Sequence, residues 1–297
     1  MSDSLGPEQR ALVDDLVGRL RDVPGIAGLA LGGSHARGRA RPDSDVDLGL
    51  YYGDAAPLDV DALAGIVGGI RGSVDPVVVP PYAWGPWVNG GAWLTIGGQR
   101  VDLLYRRFEQ LERVIGQAER GEYELHFGQQ PPFGFFSATY LGELAIARIL
   151  FDPSGRIEAL QRRVAEYPEA LRRRVVQDQL WSVEFALHAF ARKFAARGEV
   201  FLTAGTLARA VHALLLVLFA LNRRHVLNDK TLLEEVEELE IAPEAFRARV
   251  ESVLANLGAS PEALADSVAE LSRLFVEVAD LAGDLYTPKS ALPGGGA

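Results

Sequence analysis

The sequence is 297 residues long, 48% hydrophobic and 24% charged, an ordinary globular composition that excludes a disordered or collagen-like chain. Its formal net charge of -10 excludes the dominant positive face that a long nucleic acid needs to displace its counterions. The absence of cysteine excludes disulfides, thiolate metal sites and cysteine nucleophiles; at this length two domains are expected.

The N-terminus lacks a basic region followed by an apolar core, so no secretory signal is read there. Leu12, Val13, Leu16, Val17 and Leu20 recur at helical spacing and predict an amphipathic helix over 7–21 that ends at Pro24 and Gly25. IAGLALGG then reads as a buried strand stopped by glycines, DVDLGLYY as a second strand and LDVDALAGIVGGI as a helix. VDPVVVP, AWLTIGG and RVDLLYR are three further extended segments. After about residue 106 the period becomes helical, with helices predicted over 108–120, 137–150, 155–165, 168–197, 204–222, 230–238, 243–256 and 260–285. GEYELHFGQQPPFGFF, residues 121–136, is broken by Gly and Pro and is expected to connect two domains and line a cleft. The longest apolar run, Ala213–Leu221, is shorter than the roughly 20 residues of a membrane span. A cytoplasmic protein without a membrane partner is expected.

The stretch LGGSHARGRARPDSDVDLGLYY, Leu31–Tyr52, carries the chemistry. A strand running into Gly32 and Gly33, with a short helix from Ser34, brings backbone N–H groups and a hydroxyl to one point suited to phosphate. In an extended chain residues two apart share a face, so Asp45 and Asp47 project side by side and call for a hard divalent cation. Asp102, between Val101 and Leu103, is an ionisable residue in an apolar strand, costly there without a partner or a task. If its strand lies beside that of Asp45 and Asp47, the three carboxylates hold two magnesium ions that orient a triphosphate, and Asp102 deprotonates an acceptor hydroxyl.

These residues, GSHARGRARPDSDVDL with VDL at 101–103, resemble the signature of the polymerase-β-like nucleotidyltransferase superfamily. The later stretches QPPFGF, ARILFDPSGRIEAL and LFALNRRHVLNDK are similar to those of bacterial members with an added helical domain and, more distantly, of antibiotic nucleotidyltransferases. The resemblance implies an α+β chain: a nucleotidyltransferase domain over 1–125, with a mixed sheet and flanking helices, then an all-α helical domain over 126–290. The tail 291–297 is expected to be disordered. It implies catalytic and metal-binding Asp45, Asp47 and Asp102, and a nucleotide held by Gly33, Ser34, Arg37 and Lys230. The cofactors expected are two Mg2+ ions with a nucleoside triphosphate, ATP first; the partner is a hydroxyl-bearing small molecule that receives AMP as pyrophosphate leaves. The alternatives are an enzyme that adds AMP to a protein, an antitoxin-like partner, or a nucleotide-binding protein without turnover.

The remaining polar residues are read more plainly. Asp43 and Ser44 are turn chemistry, His35 an exposed first-turn residue, and the LLEEVEELE run a solvated helix face. Lysine occurs only at Lys193, Lys230 and Lys289, and Lys230 is favoured to reach phosphate because it falls in a family-like stretch. Glu143 and Glu184 are either cleft or helix-surface groups, and His188 and His212 are core or boundary histidines. Trp84, Trp87 and Trp93 are packing residues, with one able to stack on a base or acceptor. Arg120 and His126 have the spacing of a ribonuclease motif found in HEPN helices, but Gly121 and the prolines place them in a loop, so no ribonuclease is predicted.

Overall fold

Alternation in VDLGLYY decides the first unit. Val46, Leu48, Leu50 and Tyr52 are buried on one face of their strand, while Asp47, Gly49 and Tyr51 take the other. VDLLY repeats the device with Val101, Leu103 and Tyr105 inward. Full burial of a leucine such as Leu48 or Leu103 contributes about 2 kcal/mol, so a one-residue slip that turned these side chains to water would be costly.

In this computed structural model, residues 5–41 and 43–289 are described. By contact they form two units, one of the residues up to Gln117 with Glu124–Glu166, the other of Ala118–Tyr123 with the residues from Tyr167 onward. The first unit runs α1 (Pro7–Leu20), β1 (Gly28–Leu31), α2 (Gly33–Arg37), β2 (Val46–Tyr52), α3 (Val60–Gly68), β3 (Ser73–Val78), β4 (Gly91–Ile96), β5 (Gln99–Arg107), α4 (Phe108–Glu119), β6 (Leu125–His126), β7 (Phe135–Phe136), α5 (Thr139–Ile146), β8 (Arg148–Phe151) and α6 (Arg156–Val164). Its six-stranded sheet has the order β3-β4-β5-β2-β1-β8; β2 and β5 are parallel and the other pairs antiparallel. This is the expected mixed sheet with flanking helices. Leu16 and Leu20 of α1 and Leu63 and Val67 of α3 complete the core against the apolar face of β2 and β5.

Two expectations for the middle of the chain change. The helix expected over 137–150 stops at Ile146, and Arg148–Phe151 instead pairs antiparallel with β1. Apolar runs this short satisfy either period, and the open edge of β1 decides between them. Because β8 joins the sheet, contact places Glu124–Glu166 with the first unit, beyond the expected division at 125/126. The segment after Gly121 is a short hairpin of β6 and β7 whose Phe135 and Phe136 are buried. Arg120 lies in a turn and His126 in β6, so that spacing does not fall on a helix.

The second unit is helical: α7 (Glu169–Phe185) continues through a π-helical turn, Ala186–Ala191, into α8 (Arg192–Ala196), followed by α9 (Val200–Leu221), α10 (Leu232–Glu235), α11 (Phe246–Ala255) and α12 (Pro261–Ala282). The apolar run read from Ala213 is part of a longer helix. Val200–Leu221 has 22 residues and a mean hydropathy of 1.9, enough by length and composition to cross a membrane. Its most apolar window is 72% buried, with α7 and α12 packed against it, which is the environment of a core helix. The tail 291–297 lies outside the described residues.

Candidate active site

The parallel pairing of β2 with β5 sets Asp47 directly against Asp102, with Val46 against Val101 and Leu48 against Leu103. Both aspartates therefore stand on the face opposite the core, on adjacent strands about 4.8 Å apart. Gly32 donates its N–H to the Asp47 carbonyl at 2.8 Å, carrying the β1-β2 ladder into the glycine pair. Gly33 has a φ of +57°, and a Cβ built on it would lie 1.8 Å from Asp47 Oδ2. The space beside this glycine is filled by the carboxylate, so Gly33 serves the aspartate as well as the turn. Ser34 follows at the start of α2, half-buried, as does Arg37 at its end.

Electrostatics mark the same point. Burial, then the charges of Asp102, Asp45 and Glu143, push the Asp47 carboxyl up to about 6 against the pull of Arg106. In metal-free protein the folded state thus keeps a proton that the unfolded chain releases near its ordinary value of 3.8. The sign follows: stability is greatest below that value and falls as pH rises toward about 6, by about 3 kcal/mol at most. Asp47→Asn is expected to remove this dependence. Thermal unfolding in a chelator should show the variant gaining a few degrees over wild type between pH 4 and 7, whereas parallel curves would contradict the assignment.

Asp45 is held differently. Extending the β2-β5 register by one residue sets it opposite Arg100, whose Nε lies 2.6 Å from Asp45 Oδ1. Arg100 thus partners Asp45 while the Asp45 charge still acts on Asp47. Among the described residues, no group of three or more His, Asp or Glu side chains stands so as to hold an ion. Ser44 behaves as turn chemistry: Arg41 N–H donates to its Oγ at 2.8 Å, and its carbonyl accepts from Gln99 Nε2 at 2.9 Å.

A half-buried ion pair flanks the aspartates. Arg106, on the Asp102 face of β5, gives Nε and Nη2 to Glu143 Oε2 of α5 at 2.9 and 2.8 Å. Burial pulls the guanidinium down, but Glu143, with Tyr140 and Tyr51, more than offsets this and holds it above its usual range. Sequence reading left Glu143 open and missed Arg100 and Arg106. The signal was there: Arg100, Asp102 and Arg106 are two and four residues apart in one strand and share a face. Arg106→Met is expected to cost about 1 to 2 kcal/mol, because it leaves the half-buried Glu143 carboxylate without its partner. Urea denaturation would read this as a lower midpoint at unchanged slope, with partial recovery in the double variant Arg106→Met, Glu143→Gln.

Other expected residues fall elsewhere. His35 is buried at 2% exposure rather than exposed, because the short helix α2 packs between β2 and α5. Lys230 is on an exposed turn of the second unit, its N–H bonded to Asn228 Oδ1 at 2.9 Å; its link to phosphate rests on the sequence resemblance alone. Glu184, also in that unit, is buried and bonded by the Tyr286 hydroxyl. His212 is buried with Nε2 3.2 Å from Asp229 Oδ1.

Residues 13–117 match the nucleotidyltransferase domain family, and residues 136–230 match a domain of unknown function, DUF4037. Among solved structures, the chain is similar to a nucleotidyltransferase-like protein from Exiguobacterium sibiricum 255-15, at 13% identity and a TM-score of 0.43, covering 94% of this chain and 78% of that one. No curated protein matches the chain.

Proposed function

We propose, from the premise that the N-terminal region of this chain is a nucleotidyltransferase domain, that it moves AMP from ATP to a hydroxyl of a small molecule. The observation that carries this reading is Asp47, set in register with Asp102 and seated against Gly33. A half-buried carboxylate pair beside a glycine held at positive φ does not serve stability, since both cost free energy in the metal-free fold.

Asp45, Asp47 and Asp102 offer oxygen alone, the donor chemistry of a hard divalent cation such as Mg2+, and the repulsion that raises Asp47 is what a cation would relieve; the three would have to draw together around it, since they do not already stand as an ion-holding group among the described residues. When bound, such an ion would neutralise charge on the triphosphate oxygens and on the departing pyrophosphate oxygen. The Ser34 hydroxyl and the N–H groups at the start of α2 hold phosphate oxygens, with Arg37 bracing the loop. Asp102 takes the proton of the acceptor hydroxyl. The acceptor oxygen then forms its bond to the α-phosphorus as the bond to the β-phosphate oxygen breaks, and pyrophosphate departs with that electron pair. Incubation with Mg2+ and each α-labelled triphosphate, with a panel of hydroxylated antibiotics and a cell lysate, should move label to a small molecule with ATP preferred. Label on protein instead would point to a modifying enzyme, and no magnesium-dependent nucleotide binding would end the enzymatic reading.

A further inference from the structure

The face that carries Asp47 and Asp102 continues across β4 and β3. Trp93 is the register partner of Asp102, and Val77 that of Trp93, so these side chains share that face. Trp84, from the loop before β4, stacks on Trp93 with ring centroids 4.4 Å apart and planes at 23°. Trp84 is 49% exposed, and Val74 and Val77 of β3 are 60% and 53% exposed. An apolar ledge thus begins beside the catalytic carboxylates and is open to solvent.

The ledge is rigidly built. Gln129, itself buried, donates Nε2 to the carbonyls of Trp84 at 2.8 Å and Val88 at 3.1 Å, and accepts the N–H of Trp87 at 2.8 Å. Gln110 Nε2 donates to the Pro86 carbonyl at 2.7 Å. Trp87 is packed inside, stacked on Phe135. Burying Trp87 accounts for the loop's stability, while the same straps hold Trp84 outward at no further ordering cost, the condition for a preorganised stacking surface. Strand addition does not account for the exposure: Pro76 and a register break between Val74 and Val77, with Asp75 at a φ of +44°, blunt the β3 edge.

We propose that the Trp84–Trp93 ledge is the acceptor subsite and takes a hydroxyl-bearing compound with a flat aromatic ring. This rests on the nucleotidyl-transfer reading. Across the sheet the order is the Ser34 loop off β1, Asp47 on β2, Asp102 on β5, Trp93 on β4 and Val77 on β3. Phosphate lies on the β1 side of the carboxylates, so the group that gives its proton to Asp102 approaches from the β4 side. The ledge itself offers a stacking face with little charge, since Asp75 is the only ionisable residue in β3 and β4, so an aromatic ring suits it better than a polyamino sugar.

The test is calorimetric binding of 2-naphthol and of kanamycin to wild type, Trp84→Ala and Trp84→Phe without nucleotide, beside ATP binding in Mg2+. The expected result is naphthol binding that weakens roughly ten-fold in Trp84→Ala and returns in Trp84→Phe, with ATP affinity unchanged. Naphthol binding indifferent to Trp84, preference for kanamycin, or a loss confined to ATP would each overturn the proposal, the last making the ledge a nucleobase site. Adding α-labelled ATP and Mg2+ separates the two readings: Trp84-dependent naphthol binding with label moved neither to naphthol nor to any compound of a cell lysate leaves an aromatic-binding ledge but removes nucleotidyl transfer and with it the acceptor role.

Discussion

Gly33→Ala is expected to reduce nucleotidyl transfer by at least about 100-fold while leaving the sheet folded. The new Cβ would lie 1.8 Å from Asp47 Oδ2 and 2.7 Å from its Cγ, so the carboxylate has to move by more than an ångström. Displacement on that scale costs on the order of 100-fold where reacting groups are prealigned. The φ of +57° adds about 1 to 2 kcal/mol of backbone strain. Gly38→Ala separates the two effects, because Gly38 also has a positive φ, +71°, but nothing within 4 Å of its Cβ position. Similar losses of thermal stability with activity lost only in Gly33→Ala would assign the defect to Asp47. Equal losses of activity would assign it to the backbone of α2.

On the proposed mechanism, Asp102→Asn is expected to lower kcat by about 1,000-fold or more, because Asp102 would serve there as both base and metal ligand. The change keeps the shape of the side chain on a strand held by Val101 and Leu103, so folding should survive. A second readout distinguishes the role of its charge. Asp102 is the largest neighbouring charge that raises Asp47, and without it the Asp47 carboxyl should titrate lower than about 6 in metal-free protein. Carboxyl-detected NMR across a pH series would show this. An unmoved Asp47 titration with intact kcat would mean that the register of β2 and β5 does not bring the two groups together in function.

The two carboxylates were legible because each interrupts an apolar alternation: Asp47 between Val46 and Leu48, Asp102 between Val101 and Leu103. Their pairing was not, since β2 and β5 are separated by a helix and two strands and only the closed sheet fixes which residues face each other. Local pattern also failed at Arg148–Phe151, where the partner strand selects the period. The burial of His35 escaped for the same reason: a five-residue helix has no periodicity to read, and its packing comes from β2 and α5. Arg106 and the Trp84–Trp93 stack were visible as residue types but acquire meaning only from what lies across the sheet from them. The glycine pair was read as a phosphate cradle, and the fold adds that Gly33 is first a seat for Asp47.

The most direct measurement uses ATP labelled at the α- or the γ-phosphorus, incubated with Mg2+, the full chain and a hydroxylated aromatic acceptor. The α-label should appear on the acceptor while the γ-label leaves as pyrophosphate, and both signals should vanish in Asp47→Asn with Asp102→Asn. Transfer of the γ-label to the acceptor, or α-label transfer that survives loss of both aspartates, would contradict nucleotidyl transfer at this site.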